Sequence, residues 1–322
     1  MDTIYAVTRL HNLEQKMLTG DDLRRLLAAP TVGDAMAILR ECGWGDGAPD
    51  GDAEALVERE RARAWAQVGE MVDMAQLMPL RMAADYHNLK AALKLTYAGG
   101  DIADAGRYLL PGGTVEARTL LDAAAGRDFS ALPADMAVAA AQASDALLHT
   151  EGGQAADAIV DAAALCAIDR AGRASRSALM KAYAAMTVDG AMARIALRAA
   201  MLGLGQGFLE LALPEAGSLD RGRLIAAAAE GAGAVLDYLA AAGYAGGAAE
   251  GRKSPAAMEK WFDDLLMERL RPARFLFEGI DPIVAHLVGR EREADAVRLI
   301  LAAKANHLSG EQIAERLRAT YA

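Results

Sequence analysis

A carboxylate recurs in this chain at one fixed interval. Asp85, Asp189 and Glu293 are separated by 104 residues, from 85 to 189 and again from 189 to 293. The same offset relates Lys90, Arg194 and Arg298, and relates Leu93, Leu197 and Leu301. A further column holds Leu89, Ala193 and Val297; Lys94 pairs with Arg198 until Ala302 breaks that column. Downstream, Gly113 with Gly217 and Val115 with Leu219 keep the step. Alanine-rich helices align at many offsets, so the leucine and alanine columns alone carry little weight. Acid, base and glycine sharing one offset carry more. The period exceeds the ~20–50 residues of ordinary solenoid repeats, and it predicts triplication of a small domain. The expected organisation is a lead over 1–10, then domains over 11–114, 115–218 and 219–322, set about a pseudo-threefold axis or in a curved row.

Each repeat is helical by composition and pattern. Hydrophobic residues make up 53% of the 322-residue chain and aromatics only 5%. Alanine, by eye the commonest residue, is the best helix former, whereas β-branched and aromatic residues build strands. No segment alternates with the two-residue period of a strand. The fold class is therefore all-α. Helices are expected over 2–18, from Leu23 after a Thr19–Asp22 cap, and from Thr31–Asp34 to about Gly43. A Gly/Asp-rich loop follows over 45–52. Further helices are expected over 53–77 with a break near Pro79, and over 81–98 with a stop at Gly99-Gly100. The second round gives helices over 120–125, 132–149, 154–183 and 189–204. A third round opens at Leu219 and ends with helices over 284–306 and 310–320.

The charge balance excludes whole classes of function. Lys and Arg number 34 against 44 Asp and Glu. An acidic chain lacks the basic footprint of a nucleic-acid binder and is not drawn to an anionic membrane surface. Arginines gather toward the C-terminus, interleaved with acids, which reads as a solvated, salt-bridged face. Cys42 and Cys166 are the two cysteines, too few for a disulfide framework or a Cys-rich zinc site. The opening MDTIYAVTRL lacks the regions of a signal peptide. No apolar stretch reaches the ~18–20 residues that span a bilayer. The sequence therefore predicts a soluble, cytoplasmic protein.

The search for catalytic chemistry finds little. His11, His87, His149, His286 and His307 form no HExxH motif or Cys/His cluster, so no metal site is expected. Gly203-Leu-Gly205-Gln-Gly207 resembles a phosphate loop, but it ends a helix where such a loop must follow a strand. No Walker A motif is present, so direct nucleotide binding is not expected. The carboxylates Asp263, Asp264 and Glu268 approach the DDxxD helix that holds Mg²⁺–diphosphate in all-α terpenoid synthases. Met267 occupies the place of the third acid, and no second acidic motif follows. A polar helix face beside Arg269 and Arg271 is the plainer reading. A Mg-dependent lyase and an unrelated helical adaptor stand as the alternative functions.

The residues that carry a family resemblance are spread along the chain. They are Tyr5-Ala6 with Arg9, then Leu18-Thr19 with Asp22-Leu23, and then Asp85-Tyr-His-Asn88-Leu89-Lys90 followed by Leu110-Pro111-Gly-Gly113-Thr-Val115. In the third unit they are Glu291, Glu293, Val297-Arg298, Ile300, Lys304, Leu308-Ser309, Glu311, Ile313 and Leu317. This pattern resembles the C-type subunit of bacterial and archaeal V/A-type rotary ATPases, whose eukaryotic counterpart is the d-type subunit. Met192 and Ala296 replace Asn88 in the later units, which makes a site shared through Asn88 a poor expectation and a structural role the better one.

The resemblance implies an all-α funnel of three similar domains without an active site or cofactor. It implies a rotor part seated on the membrane proteolipid ring that receives the foot of the central stalk, built from subunits D and F. The chain would then be a peripheral component on the inner face of the membrane, serving ion transport or ATP synthesis. The mismatch between a threefold body and an asymmetric stalk suggests that non-repeated residues give binding specificity.

Overall fold

The computed structural model describes residues 3–47, 51–100, 105–106, 108–149 and 153–321. Asp2 of the first expected helix, and residues 48–50 of the expected loop over 45–52, lie outside them. No strand occurs among the described residues. In chain order the helices are α1 (Thr3–Glu14), α2 (Gly20–Ala28), α3 (Val32–Glu41) and α4 (Ala53–Gly69). Next come α5 (Met78–Tyr97), α6 (Ala117–Gly126), α7 (Ala134–His149), α8 (Gln154–Ala174) and α9 (Ala178–Leu202). Then follow α10 (Gln206–Ala212), α11 (Arg221–Glu230), α12 (Ala232–Leu239), α13 (Ala245–Gly251) and α14 (Pro255–Leu270). The last two are α15 (Asp281–Ala305) and α16 (Gly310–Ala314). No helix among the described residues is long and apolar enough to cross a membrane.

Local chemistry explains most of the ends. Thr19 and Thr31 cap α2 and α3, each accepting from the N3 amide while Asp22 or Asp34 returns the bond to the cap amide. Such reciprocal boxes satisfy two orphan donors at once. Two expected boundaries are corrected. The helix expected over 53–77 ends at Gly69 and resumes as a 3₁₀ turn, Met74–Leu77, before α5. Pro79 lies in the first turn of α5, where its missing N–H has no intrahelical partner to lose. The helix expected over 154–183 stops at Ala174, because Ser177 caps the start of α9 by accepting from the Met180 amide. Serine competes for backbone bonds in this way even inside an alanine-rich run.

The chain forms two compact units. One comprises Met1–Gln76 with Asp263–Ala322, and the other Leu77–Phe262. In the first unit α15 is buried continuously over residues 282–290, and Ile283, Val284, Leu287 and Val297 are fully enclosed. It packs against α1, α3, α4 and α16. Leu26, Leu39, Leu56 and Val297 share its core.

Among its described residues the second unit shows two cores. Leu89, Leu120, Ala140 and Val160 sit in one, built by α5, α6, α7 and α8. Val188, Met192, Leu224 and Leu239 sit in the other, built largely by α9, α11 and α12. Small residues set the helix spacing. A Cβ added at Gly172 in α8 would lie 2.2 Å from the Ala184 Cβ of α9.

The units do not follow three consecutive 104-residue segments. Each helix that bears a repeat carboxylate packs on helices from the next stretch of chain. Helix α5 packs on α6 and α8, and α9 on α11 and α12. Helix α15 packs on the short α16 that follows it and also on α4 and α3 near the N-terminus.

Candidate functional site

The three repeat carboxylates lie mid-helix in α5, α9 and α15 and are buried, Asp85 at 0%, Asp189 at 1% and Glu293 at 2% exposure. A buried carboxylate must have hydrogen-bond partners. Asp85 accepts from the Thr114 amide at 2.6 Å, the Thr114 hydroxyl at 2.5 Å and the Val115 amide at 3.0 Å. Asp189 repeats the pattern one period later. It accepts from the Ser218 amide at 2.7 Å, the Leu219 amide at 3.3 Å and the Ser218 hydroxyl. The Tyr244 hydroxyl adds a bond to Asp189 at 2.5 Å. Glu293 accepts from the Leu18 amide, 275 residues away in sequence. Each carboxylate thus clasps the segment that leads into a helix: α6, α11 and α2.

The glycine column acquires its reason here. A Cβ at Gly113 would fall 2.5 Å from Asp85 Oδ1, and one at Gly217 would fall 2.3 Å from Asp189 Oδ1. Only glycine lets the loop come this close. Aligned on the helix starts, the third clasp has Lys16 and Met17 where the others have a glycine and a hydroxyl residue. The hydroxyl donor missing from Met17 is replaced by Arg290, whose guanidinium pairs with Glu293.

The carboxylate helices also end alike. The amides of Gly100, Leu204 and Leu308, each 104 residues apart, donate to Leu95, Ala199 and Ala303 at 3.0, 2.9 and 3.0 Å. The residue before each donor has positive φ, 67° at Gly99, 65° at Gly203 and 58° at His307. This is the Schellman stop, and it accounts for the end of the Gly203-Leu-Gly205 helix.

The remaining repeat residues divide between core and surface. Leu93, Leu197 and Leu301 are all buried. Asn88 donates to the Leu110 carbonyl at 2.9 Å and accepts from its amide at 2.7 Å. It thereby holds a loop backbone that Met192 and Ala296 have no polar group to hold. Lys90 pairs with Asp161 of α8 at 2.6 Å. Arg298 pairs with Glu54 of α4 at 2.6 Å and also with Glu58. Arg194 is exposed.

A buried ionic network around the third clasp was not anticipated from the sequence. Glu60 of α4, 2% exposed, receives Arg290 at 2.9 Å, Arg63 at 2.8 Å and the Gly45 amide at 3.0 Å. The Arg290 guanidinium also lies over the Trp44 ring, 5.2 Å from its centroid. Arg61, buried beside them, faces Glu291 at 3.4 Å and also Asp295. Burial raises Glu293 to about 7, against the opposing pull of Arg290 and the Leu18 amide. Burial likewise raises Glu291 despite Arg61 and the Trp65 indole. The spacing of Arg290 and Glu293, three apart on one helix, is a legible pairing signal. Glu60 carries the same local signal toward Arg63, three residues on, but none toward Arg290.

The acidic run from Asp263 is engaged by its own unit. Asp263 accepts from Arg292 at 2.6 Å and Arg318 at 3.2 Å, and Asp264 accepts from the Ala319 amide at 2.6 Å. Glu268 is exposed. Among the described residues no group of three or more His, Cys, Asp or Glu could hold a metal ion. The chemistry of these clasps is that of positioning: they bind backbone to helix and present no nucleophile. No individual curated protein matches the chain. A family model described as ATP synthase (C/AC39) subunit matches residues 6–316.

Proposed function

The chain belongs to the ATP synthase (C/AC39) subunit family, and from that premise we propose that it is a non-catalytic rotor part. It seats on the proteolipid ring of the membrane sector, receives the foot of the central stalk made of subunits D and F, and passes torque between them. It works as a peripheral component on the cytoplasmic face of the membrane, in ion transport or ATP synthesis. The proposal includes three similar helical domains arranged as a pseudo-threefold funnel.

The family match over nearly the whole chain carries the proposal. Three buried carboxylates that tie helices to the segments ahead of them support it, because a torque-bearing part must resist bending. Charge-assisted hydrogen bonds of this kind contribute roughly 1.5–3 kcal/mol each. The clasps also refine the expected domains. Each module consists of one carboxylate helix with the helices that follow it in sequence, and the third is completed by the N-terminal segment.

The test is isolation from membranes. A tagged chain solubilised in mild detergent should bring down the proteolipid and both stalk subunits, at one copy of the chain per ring. Recovery of the chain alone, from membranes whose ATPase stays intact, would contradict the proposal and favour a helical adaptor.

A further inference from the structure

Just before α15, in the first unit, three successive apolar side chains stand in water. Phe275 is 70% exposed, Leu276 45% and Phe277 75%. Successive residues cannot share one face of a helix or strand, so this is a tip open on several sides and not one stripe of a flat face. It follows the 3₁₀ turn Arg271–Phe275. The Phe277 ring meets the His11 ring edge-on, with centroids 6.0 Å apart, and the Arg274 guanidinium lies 5.6 Å from the Phe275 centroid. Ile4 of α1 is 55% exposed and precedes His11 by seven residues. It therefore lies on the same helix face two turns away and adds to the apolar surface. Arg269, Arg271 and Arg274 lead into the tip. None of them is taken by a carboxylate among the described residues, and Arg271 donates to the Thr320 carbonyl at 2.6 Å. Glu268 and Glu278 flank the stretch, so its charge is nearly balanced.

Exposed aromatic and aliphatic side chains next to arginines suit the boundary between lipid headgroups and acyl chains. From this arrangement we propose that the 275–277 tip dips into the interface of a phospholipid bilayer, with Phe275 and Phe277 at the acyl boundary and Arg274 at the lipid phosphates. Water satisfies these arginines in the free chain; at the bilayer, phosphate oxygens take its place. A bilayer is fluid and closes around a tip from every side, whereas a protein partner would need a preformed pocket for three side chains. The acidic balance of the whole chain still rules out recruitment by charge alone, so apolar burial supplies most of the attraction. A rotor part seated on a proteolipid needs no lipid contact, so the inference goes beyond that reading and does not rest on it.

The experiment is flotation of the full chain with vesicles of equal parts phosphatidylcholine and phosphatidylglycerol. The wild type should float with the vesicles. Phe275→Ser together with Phe277→Ser, both at exposed positions, should fold normally and weaken binding about tenfold or more. In a separate Phe277→Trp chain, vesicles should shift the added emission to the blue, and lipids brominated along the acyl chain should quench it. A wild type that stays unbound, or binding unchanged in the double substitution, would overturn the proposal. Loss of proteolipid capture or of a wild-type dimer in the double substitution, without vesicle binding, would overturn it too and give the tip to a protein partner.

Discussion

The clasps of the second unit and that of the first solve the same problem with different chemistry. Asp85 and Asp189 are met by amides and hydroxyls from loops about 30 residues downstream. Both clasps are local in sequence, compact and closed by glycine. Glu293 closes on the far end of the chain and takes an arginine in place of the missing hydroxyl. That arginine must itself be balanced, and Glu60 balances it. One substituted donor has thus drawn a buried ionic network into the first unit. Sites of similar geometry can therefore differ in their electrostatics.

The largest effect should come from breaking that network. Arg290→Met leaves Glu60 and Glu293 buried without their shared partner, and should destabilise the first unit by about 3–5 kcal/mol. Denaturant melts followed by Trp44 and Trp65 fluorescence would report it. In the second unit, Asp189→Ala strands two amides and two hydroxyls. It should lower stability by about 3 kcal/mol, and Asp85→Ala by slightly less because Asp85 lacks the tyrosine contact. Equal losses at both aspartates would mean that Tyr244 adds nothing.

The next effect separates the units by pH. Glu293 has its folded pKa raised by burial from 4.5 to about 7. Its contribution is fully present below about pH 4.5 and is lost as pH rises through about 7. Thermal melts should show the first unit losing stability over that window, and Glu293→Gln should flatten the loss. A window unchanged in Glu293→Gln would assign the titration to another group, such as Glu291, which burial also raises. The smallest effect lies on the surface. Lys90→Ala removes a partly exposed pair with Asp161 and should cost about 0.2–1 kcal/mol. Arg194→Ala, at an exposed position, should fall within about 0.5 kcal/mol of the wild type.

Much of this could be read from the sequence because it is local. The helical class followed from alanine and the absence of alternation. The columns through Asp85, Gly113, Asp189 and Gly217 mark real contacts, since a clasp closed within about 30 residues leaves a fixed spacing. The partner of Glu293 could not be read this way, because no periodicity links residue 293 to residue 18. The same cause hid the packing of α15 on α4 and α3. Two boundaries failed for a different reason: Ser177 caps α9 between two stretches that both read as helix, and α4 ends at Gly69, well ahead of Pro79.

The central claim is that three clasps of one kind hold the chain, the third across its ends. Native-state hydrogen exchange at the amides of Leu18, Val115 and Leu219 tests it directly. All three should exchange only through opening of their own units, as slowly as the buried helix amides around them. A Leu18 amide that exchanges at the rate of an open loop, while Val115 and Leu219 stay protected, would contradict the claim.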